Sequence, residues 1–403
     1  MITIPDIQAP EFCPNPACRY YHREQAAAAQ WFYRHGSFHT RARGSVPRFR
    51  CRSCGKCCST QTFSIHYWTH ANMDLLWLLE HLNSGSGLRQ IGRFAGVVYR
   101  VIQNRIRRMA RNALSAMDLL LDELQLGEDL AMDGFESFCR SKYHPNNITT
   151  VVGADSQLIY ALIYTALRRK GAMTPAQEAM RAHIDEHWRP DPKGVEHDCA
   201  ALLGDLGDLI ADACRRRGSV RLATDKHAAY PPALASVGRL QAELTRGRLE
   251  HHQTSSRAAR TPGNPLFPVN YVDRQIRKNC GEHTRRTVKH GREVNCQMER
   301  MALFQFAHNF LTPHRIDNRA YTGDAPRHAS MIGLHSPEVA LRVGRALTHR
   351  HLFGHRKRTD TWIERIWRHG HANPPRVALD KDGSTQVRSV ALPPGALPKH
   401  LLA

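Results

Sequence analysis

The pattern of the chain changes at Leu130-Ala-Met-Asp-Gly-Phe-Glu-Ser-Phe138 and again over Ile148-Thr-Thr-Val-Val-Gly-Ala-Asp-Ser-Gln-Leu-Ile-Tyr-Ala-Leu-Ile-Tyr-Thr-Ala-Leu167. Upstream, apolar residues recur at helical steps. Here they run together, rich in β-branched and aromatic side chains, and read as strands. A turn at Ala154-Asp155-Ser156 divides the second run. Farther on, Val220-Arg-Leu-Ala-Thr-Asp225 reads as a buried strand ending on an acid, as Leu130-Ala-Met-Asp133 does. Two polar helical stretches, near 175–188 and 196–216, lie between them, separated by Pro190-Asp-Pro192, and helix returns over 270–312. Strands interleaved with helices predict an α/β domain over residues 126–316, with a helical segment near 172–217.

Outward from that domain, residues 1–68 are loop-rich and carry two close cysteine pairs. Cys13 and Cys18 lie in CPNPAC, Cys51 and Cys54 in CRSC, with roughly 30 residues between the pairs. That spacing brings four thiolates to one tetrahedral zinc ion and predicts a zinc ribbon. Cys54 and Cys57 also form a CxxC, but Cys51 with Cys54 leaves Cys57 and Cys58 as the residues just before Ser59. Eleven cysteines in a chain without a secretory start read as metal ligands or packed thiols rather than disulfides.

Residues 69–125 read as helical. Leu75, Leu76, Leu78, Leu79 and Leu82 line one side of a first helix, Leu88 to Gly96 form a short second, and Val101 to Met109 a third. This is helix-turn-helix spacing, with the last helix placed to enter a major groove. Arg89, Tyr99, Arg100, Gln103, Asn104, Arg107 and Arg108 are the side chains expected to face DNA. Lys and Arg number 57 against 36 Asp and Glu, a formal charge of +21, which favours a polyanionic partner. The basic residues are spread along the chain rather than gathered beside an apolar anchor, and no apolar run is long enough to span a bilayer. A cytoplasmic, nucleoid-associated protein binding double-stranded DNA is expected.

Aspartates at strand ends protrude from a sheet with their backbone already fixed. Asp133 and Asp225, on neighbouring strands, can share divalent ions, and Mg²⁺ prefers such oxygens and completes its shell with water or phosphate. A third acid would come from a later helix. Asp273, Glu282 and Glu299 are the candidates, and spacing alone does not choose among them.

The CPNPAC…RFRCRSCGK ribbon, the LRQIGRFAGV helix-turn-helix and the order Asp133, Asp225, late acid resemble bacterial insertion-sequence transposases with a ribonuclease-H-like catalytic core. The resemblance covers roughly residues 10–315. It implies a mixed sheet flanked by helices, a carboxylate triad binding Mg²⁺ or Mn²⁺, a structural Zn²⁺, and a homo-oligomer acting on the element's terminal repeats and a target. In such enzymes the third acid opens a helix and is followed by basic residues. Tyr271-Val272-Asp273-Arg274, continuing to Arg277, matches that arrangement, with Asp where Glu is usual. The resemblance thus assigns Asp273 as third ligand, with Glu299 second, and puts Arg274 and Arg277 beside the scissile strand. His227 reads as structural rather than as a phosphate contact.

Two other functions fit the residues: a transposase-derived DNA-binding regulator without catalysis, suggested by the Asp, and a repair or branched-DNA nuclease on the same core. Residues 317–403 read as a basic extension, partly helical, with Trp362 and Trp367 as packing residues and a disordered Pro-rich end.

Overall fold

The computed structural model describes residues 8–315 apart from 16, 22, 68, 285 and 286, residues 325–349, and two short strands at 376–379 and 385–388. Trp362, Trp367 and the Pro-rich end lie outside the described residues.

The N-terminal module is a three-stranded antiparallel sheet of β1 (Phe32–Thr40), β2 (Gly44–Cys51) and β3 (Cys57–Ser59), preceded by a short helix α1 (Arg23–Ala27). A sheet this small buries little. Its core is Phe12, Trp31, Phe49 and Phe63 packed around Cys13, Cys18, Cys51 and Cys58. Phe12 and Phe63 meet edge to face with ring centroids 5.3 Å apart.

Helices α2 (Leu75–Asn83), α3 (Leu88–Phe94) and α4 (Tyr99–Asp122) follow. Asp74 caps α2, accepting from the backbone N–H of Leu76 at 2.9 Å and of Trp77 at 3.1 Å. The α3–α4 corner is tight enough that a Cβ on Gly92 would lie 2.7 Å from the Val97 carbonyl oxygen. With 24 residues, α4 is far longer than a recognition helix needs. Its inner side, from Ile102 through Met109 and Met117 to Leu120, runs into the same core as the central sheet.

The central sheet has the order β6-β5-β4-β7-β8, built from β4 (Leu130–Phe138), β5 (Pro145–Gly153), β6 (Ile159–Ala166), β7 (Val220–Asp225) and β8 (Leu249–Thr254). β4, β5 and β6 pair antiparallel, whereas β4 with β7 and β7 with β8 pair parallel. The sheet is therefore mixed and is flanked by helices, as expected. Between β6 and β7 come α5 (Pro175–His187) and α6 (Gly194–Arg217). After β7 come α7 (Tyr230–Ser236) and α8 (Gly238–Thr245), and after β8 come α9 (Phe267–Asn279) and α10 (Val294–Phe310). The helical segment near 172–217 is no appendage. α6 packs on β6 and β7 through Cys199, Leu202, Leu203, Leu206 and Ile210, and is the crossover a parallel β4–β7 pair requires. β8, with the sequence LEHHQT, has no apolar run and was not expected.

Glu128 anchors the β5–β6 turn. Buried just before β4, it accepts from the backbone N–H of Asp155 and of Ser156 (both 2.9 Å), the Ser156 hydroxyl (2.6 Å) and the Tyr160 hydroxyl (2.8 Å). Glu128→Ala would leave four buried or half-buried donors without that acceptor. It is expected to cost about 3–5 kcal/mol in urea unfolding. A loss below about 1 kcal/mol would show that water replaces the carboxylate.

Residues 325–349 return to the body of the protein. α11 (Pro337–Thr348) lies along α4, where the Asn112 amide donates to the Ala346 carbonyl at 3.1 Å and Arg342 pairs with Glu123 at 2.6 Å. It also touches the N-terminal module, through Arg345 to Glu11 at 2.9 Å and the Ile65 N–H to the Thr348 carbonyl at 2.9 Å. Residues 325–349 of the expected extension thus form a strap joining α4 to the cysteine module. No helix among the described residues is long and apolar enough to cross a membrane.

Candidate functional site

Two centres emerge, one of thiols and one of carboxylates. In the N-terminal module the backbone turns at each cysteine pair. The Cys18 N–H donates to the Asn15 carbonyl at 2.9 Å and the Gly55 N–H to the Cys51 carbonyl at 3.0 Å, Gly55 holding a φ of +68° that favours glycine. These turns aim four sulfurs inward. Cys13 Sγ and Cys54 Sγ are 3.5 Å apart, Cys18 Sγ and Cys51 Sγ 3.7 Å, and all four lie within 4.8 Å of one another. A tetrahedral zinc ion with Zn–S bonds of about 2.3 Å needs sulfurs about 3.8 Å apart. The cluster could hold a metal such as zinc. Burial works against ionising Cys54, but the Lys56 N–H, the Asn15 side chain and the neighbouring thiols bring it down to about 6, so the set already favours one thiolate. Cys57 is exposed and Cys58 is packed in the aromatic core, where burial pushes its thiol up to about 12. Neither belongs to the four.

The carboxylate centre is made by strand register. β4 and β7 run parallel with Met132 opposite Thr224, so the next residues, Asp133 and Asp225, emerge side by side. α9 packs on β4 and β5 and carries Asp273 to the same place. Burial pushes the Asp133 carboxyl up to about 6, with the Asp225 charge acting the same way and the Gly134 N–H, at 2.8 Å, against it. Burial and then the Asp133 charge hold Asp273 well above the usual carboxylate range, and its Oδ1 is buried with no hydrogen-bond partner. An orphaned carboxylate oxygen beside two more acids is the environment a hard cation relieves. The set is looser than the thiols. Among the described residues, the groups whose donor atoms all lie within 4.8 Å are the four cysteines and His183, Glu186 and His187, not the three aspartates.

Tyr230 and Arg260 join the three acids, and of the two only Arg260 was not singled out in the sequence. Tyr230, at the start of α7 and buried, hydrogen-bonds Asp133; burial and the charges of Asp133, Asp225 and Asp273 all raise its hydroxyl. The charge of Arg260, in the loop between β8 and α9, pulls both Asp133 and Asp273 down. The Tyr five residues after Asp225 was visible in the sequence, whereas Arg260 arrives only through the loop. His227 serves the local turn: its N–H donates to Asp225 Oδ1 at 2.8 Å, and its ring accepts from the Ala229 N–H at 3.2 Å.

The other acids go elsewhere. Glu282 pairs with Arg300 at 2.9 Å. Glu299 lies on α10 facing α4, pushed up to about 8 by burial, with Arg107, Arg111 and Glu293 as the charges acting on it and none of the aspartates. Of the three candidates for third acid, Asp273 is the one beside Asp133.

Not every expected DNA-facing side chain faces outward. Arg89, Tyr99, Arg100 and Asn104 are exposed, with Arg89 stacked over the Tyr99 ring at 5.9 Å. Gln103, Arg107 and Arg108 depart from the expectation and turn into the protein. Gln103 donates to Cys296 Sγ at 2.9 Å, Arg107 approaches Glu299 at 3.8 Å, and Arg108 donates to the Ile65 carbonyl at 2.8 Å. A helix of this length packs on two sides, so fewer of its polar residues are free. Near the aspartates, Arg274 is exposed, while Arg277 donates to the carbonyls of Glu136 and His283, both at 3.1 Å, and lies over Phe135.

The raised Asp133 carboxyl has a pH signature. Folded protein holds that proton up to about pH 6, whereas an unfolded chain loses it near 4. The resulting stability is complete below about pH 4 and is lost as pH rises through about 6. Metal-free protein is expected to be about 2 kcal/mol less stable at pH 7 than at pH 4 from this group. Urea unfolding of the wild type against Asp133→Asn isolates it; identical pH profiles would exclude it. Compared with known proteins, the chain matches no family model and no curated sequence.

Proposed function

We propose that the protein is a transposase-type enzyme that cuts DNA at the ends of an insertion element and joins them to a target, using a ribonuclease-H-like core. The observation that carries this reading is the parallel register that sets Asp133 beside Asp225, with Asp273 brought to them by α9. Asp133, Asp225 and Asp273 would hold Mg²⁺ or Mn²⁺. Bound there, the ions would lower the cost of forming an attacking oxygen and stabilise the leaving one. The chain's own residues orient and partition charge. The Tyr230 hydroxyl donates to Asp133 and keeps one carboxylate oxygen directed, and Arg260 offsets part of the acidic repulsion. The four cysteines would hold a structural zinc, making the first 68 residues a zinc ribbon. Arg89, Tyr99, Arg100 and Asn104 offer an exposed face to DNA, and the charge of +21 supports binding to the backbone. Action as a homo-oligomer in the nucleoid belongs to the same reading.

The test is cleavage by purified, zinc-loaded full chain of labelled duplexes taken from the DNA flanking its gene. Products with free 3′-hydroxyls, joined to target DNA in Mg²⁺ or Mn²⁺ and absent with EDTA, are expected. A second reading, a DNA-binding regulator, is favoured by the shorter Asp273 and by the open spacing of the three acids. Tight, sequence-specific binding with no strand cleavage in either metal would select it.

A further inference from the structure

Away from both centres, the last turn of α5 gathers three metal-binding side chains on one face. His183 and His187 are one helical turn apart, with Glu186 beside them, and one donor atom from each lies within 4.8 Å of the others. The rings of His183 and His187 are 5.0 Å apart, and His183 Nδ1 is 3.7 Å from Glu186 Oε2. We propose that His183, Glu186 and His187 form a second transition-metal site, separate from the cysteine cluster and from the aspartates.

Three features go beyond a chance cluster. First, His187 Nδ1 lies 2.9 Å from the His183 carbonyl oxygen, which can only accept, so in the neutral ring Nδ1 carries the proton and Nε2 the lone pair. A ring N–H tied to a backbone carbonyl is how metal-binding imidazoles are commonly oriented. Second, His183 is held in place. Its side chain is 14% exposed, and its Nε2 is buried without a partner, leaving Nδ1 on the side of Glu186. Third, the helix end itself is anchored. Asp185 takes two bonds from Arg168, at 3.0 and 2.5 Å, its carbonyl takes the Arg189 guanidinium at 3.0 Å, and Trp188 packs edge to face on His144. Glu186 and His187 are exposed, so the Glu186 carboxylate can swing toward an ion while the His187 ring stays oriented by the His183 carbonyl.

The donor set selects the metal. Two imidazole nitrogens and one carboxylate oxygen suit Zn²⁺, Co²⁺, Ni²⁺ or Cu²⁺, while Mg²⁺ prefers oxygen ligands alone. With three protein donors on an exposed face, a fourth position stays open to water or to a donor from a partner.

Zinc stoichiometry of the full chain, measured in millimolar Mg²⁺ so that the aspartates are occupied, tests the site. Two equivalents are expected in the wild type and one in His187→Ala, with the affinity for the second lowered at least ~10-fold in Glu186→Gln. Retention of the cysteine equivalent shows that the variants are folded. With Co²⁺, the second equivalent should add weak visible absorption but no further thiolate charge-transfer band. A single equivalent in the wild type, or two in His187→Ala, would overturn the proposal.

Discussion

Asp225→Asn is expected to lower metal-dependent cleavage by at least ~10³-fold, about 4 kcal/mol of transition-state stabilisation, while leaving DNA affinity nearly unchanged. Asparagine keeps the size of the side chain and its bond from the His227 N–H, so the turn after β7 survives. What disappears is the negative charge beside Asp133, and with it the attraction for a divalent ion. The same substitution at Asp133 should act alike, and would also remove the pH dependence described above. A double variant no worse than either single one would mark the pair as one unit. Cleavage within tenfold of wild type in both single variants would remove the aspartates from the chemistry, and with them the transposase reading.

The second large effect concerns the thiol centre. Cys51→Ser, or removal of metal by a strong chelator, is expected to unfold the N-terminal module while the central sheet stays folded. Structural zinc contributes on the order of 10 kcal/mol to domains of this size. The module has little else: four aromatic rings and the cysteines themselves form its core. Trp31, 2% exposed, is the reporter. Its emission should shift to the red, and proteolysis should begin within the first 60 or so residues. Protection of that segment in the metal-free Cys51→Ser chain would show that the aromatic core suffices. Because α11 ties the module to α4 through Arg345–Glu11 and the Ile65–Thr348 bond, some loosening of α11 should accompany the loss.

Much of this architecture was legible in the residues themselves. β6, Ile-Tyr-Ala-Leu-Ile-Tyr-Thr-Ala, is buried along its length, and that is why its apolar residues run together instead of alternating. β8 was illegible for the converse reason. Of Leu-Glu-His-His-Gln-Thr only Leu249 is buried, so its sequence need not be apolar, and only pairing with β7 makes it a strand. Likewise α4 reads as a helix from its periodicity, but which of its polar residues face water depends on α10 and α11 packing against it.

The sequence alone determined the elements whose cause is local: the cysteine pairs and their turns, the three helices between residues 75 and 122, and Asp225 at the end of its strand. These follow from short-range spacing and side-chain type, which the chain carries wherever it folds. Asp133, which also reads as a strand end, lies instead within β4, paired with Thr150. Tertiary structure decided everything that depends on distant segments meeting. It set Asp273, the acid that the resemblance had ranked first, beside Asp133 and Glu299 away from it, brought in Arg260, and turned Gln103, Arg107 and Arg108 inward. The physical reason is that burial and charge act through space over a few ångströms. Two acids with the same chemistry and similar neighbours in sequence thus acquire different roles from the helix face on which each one lies.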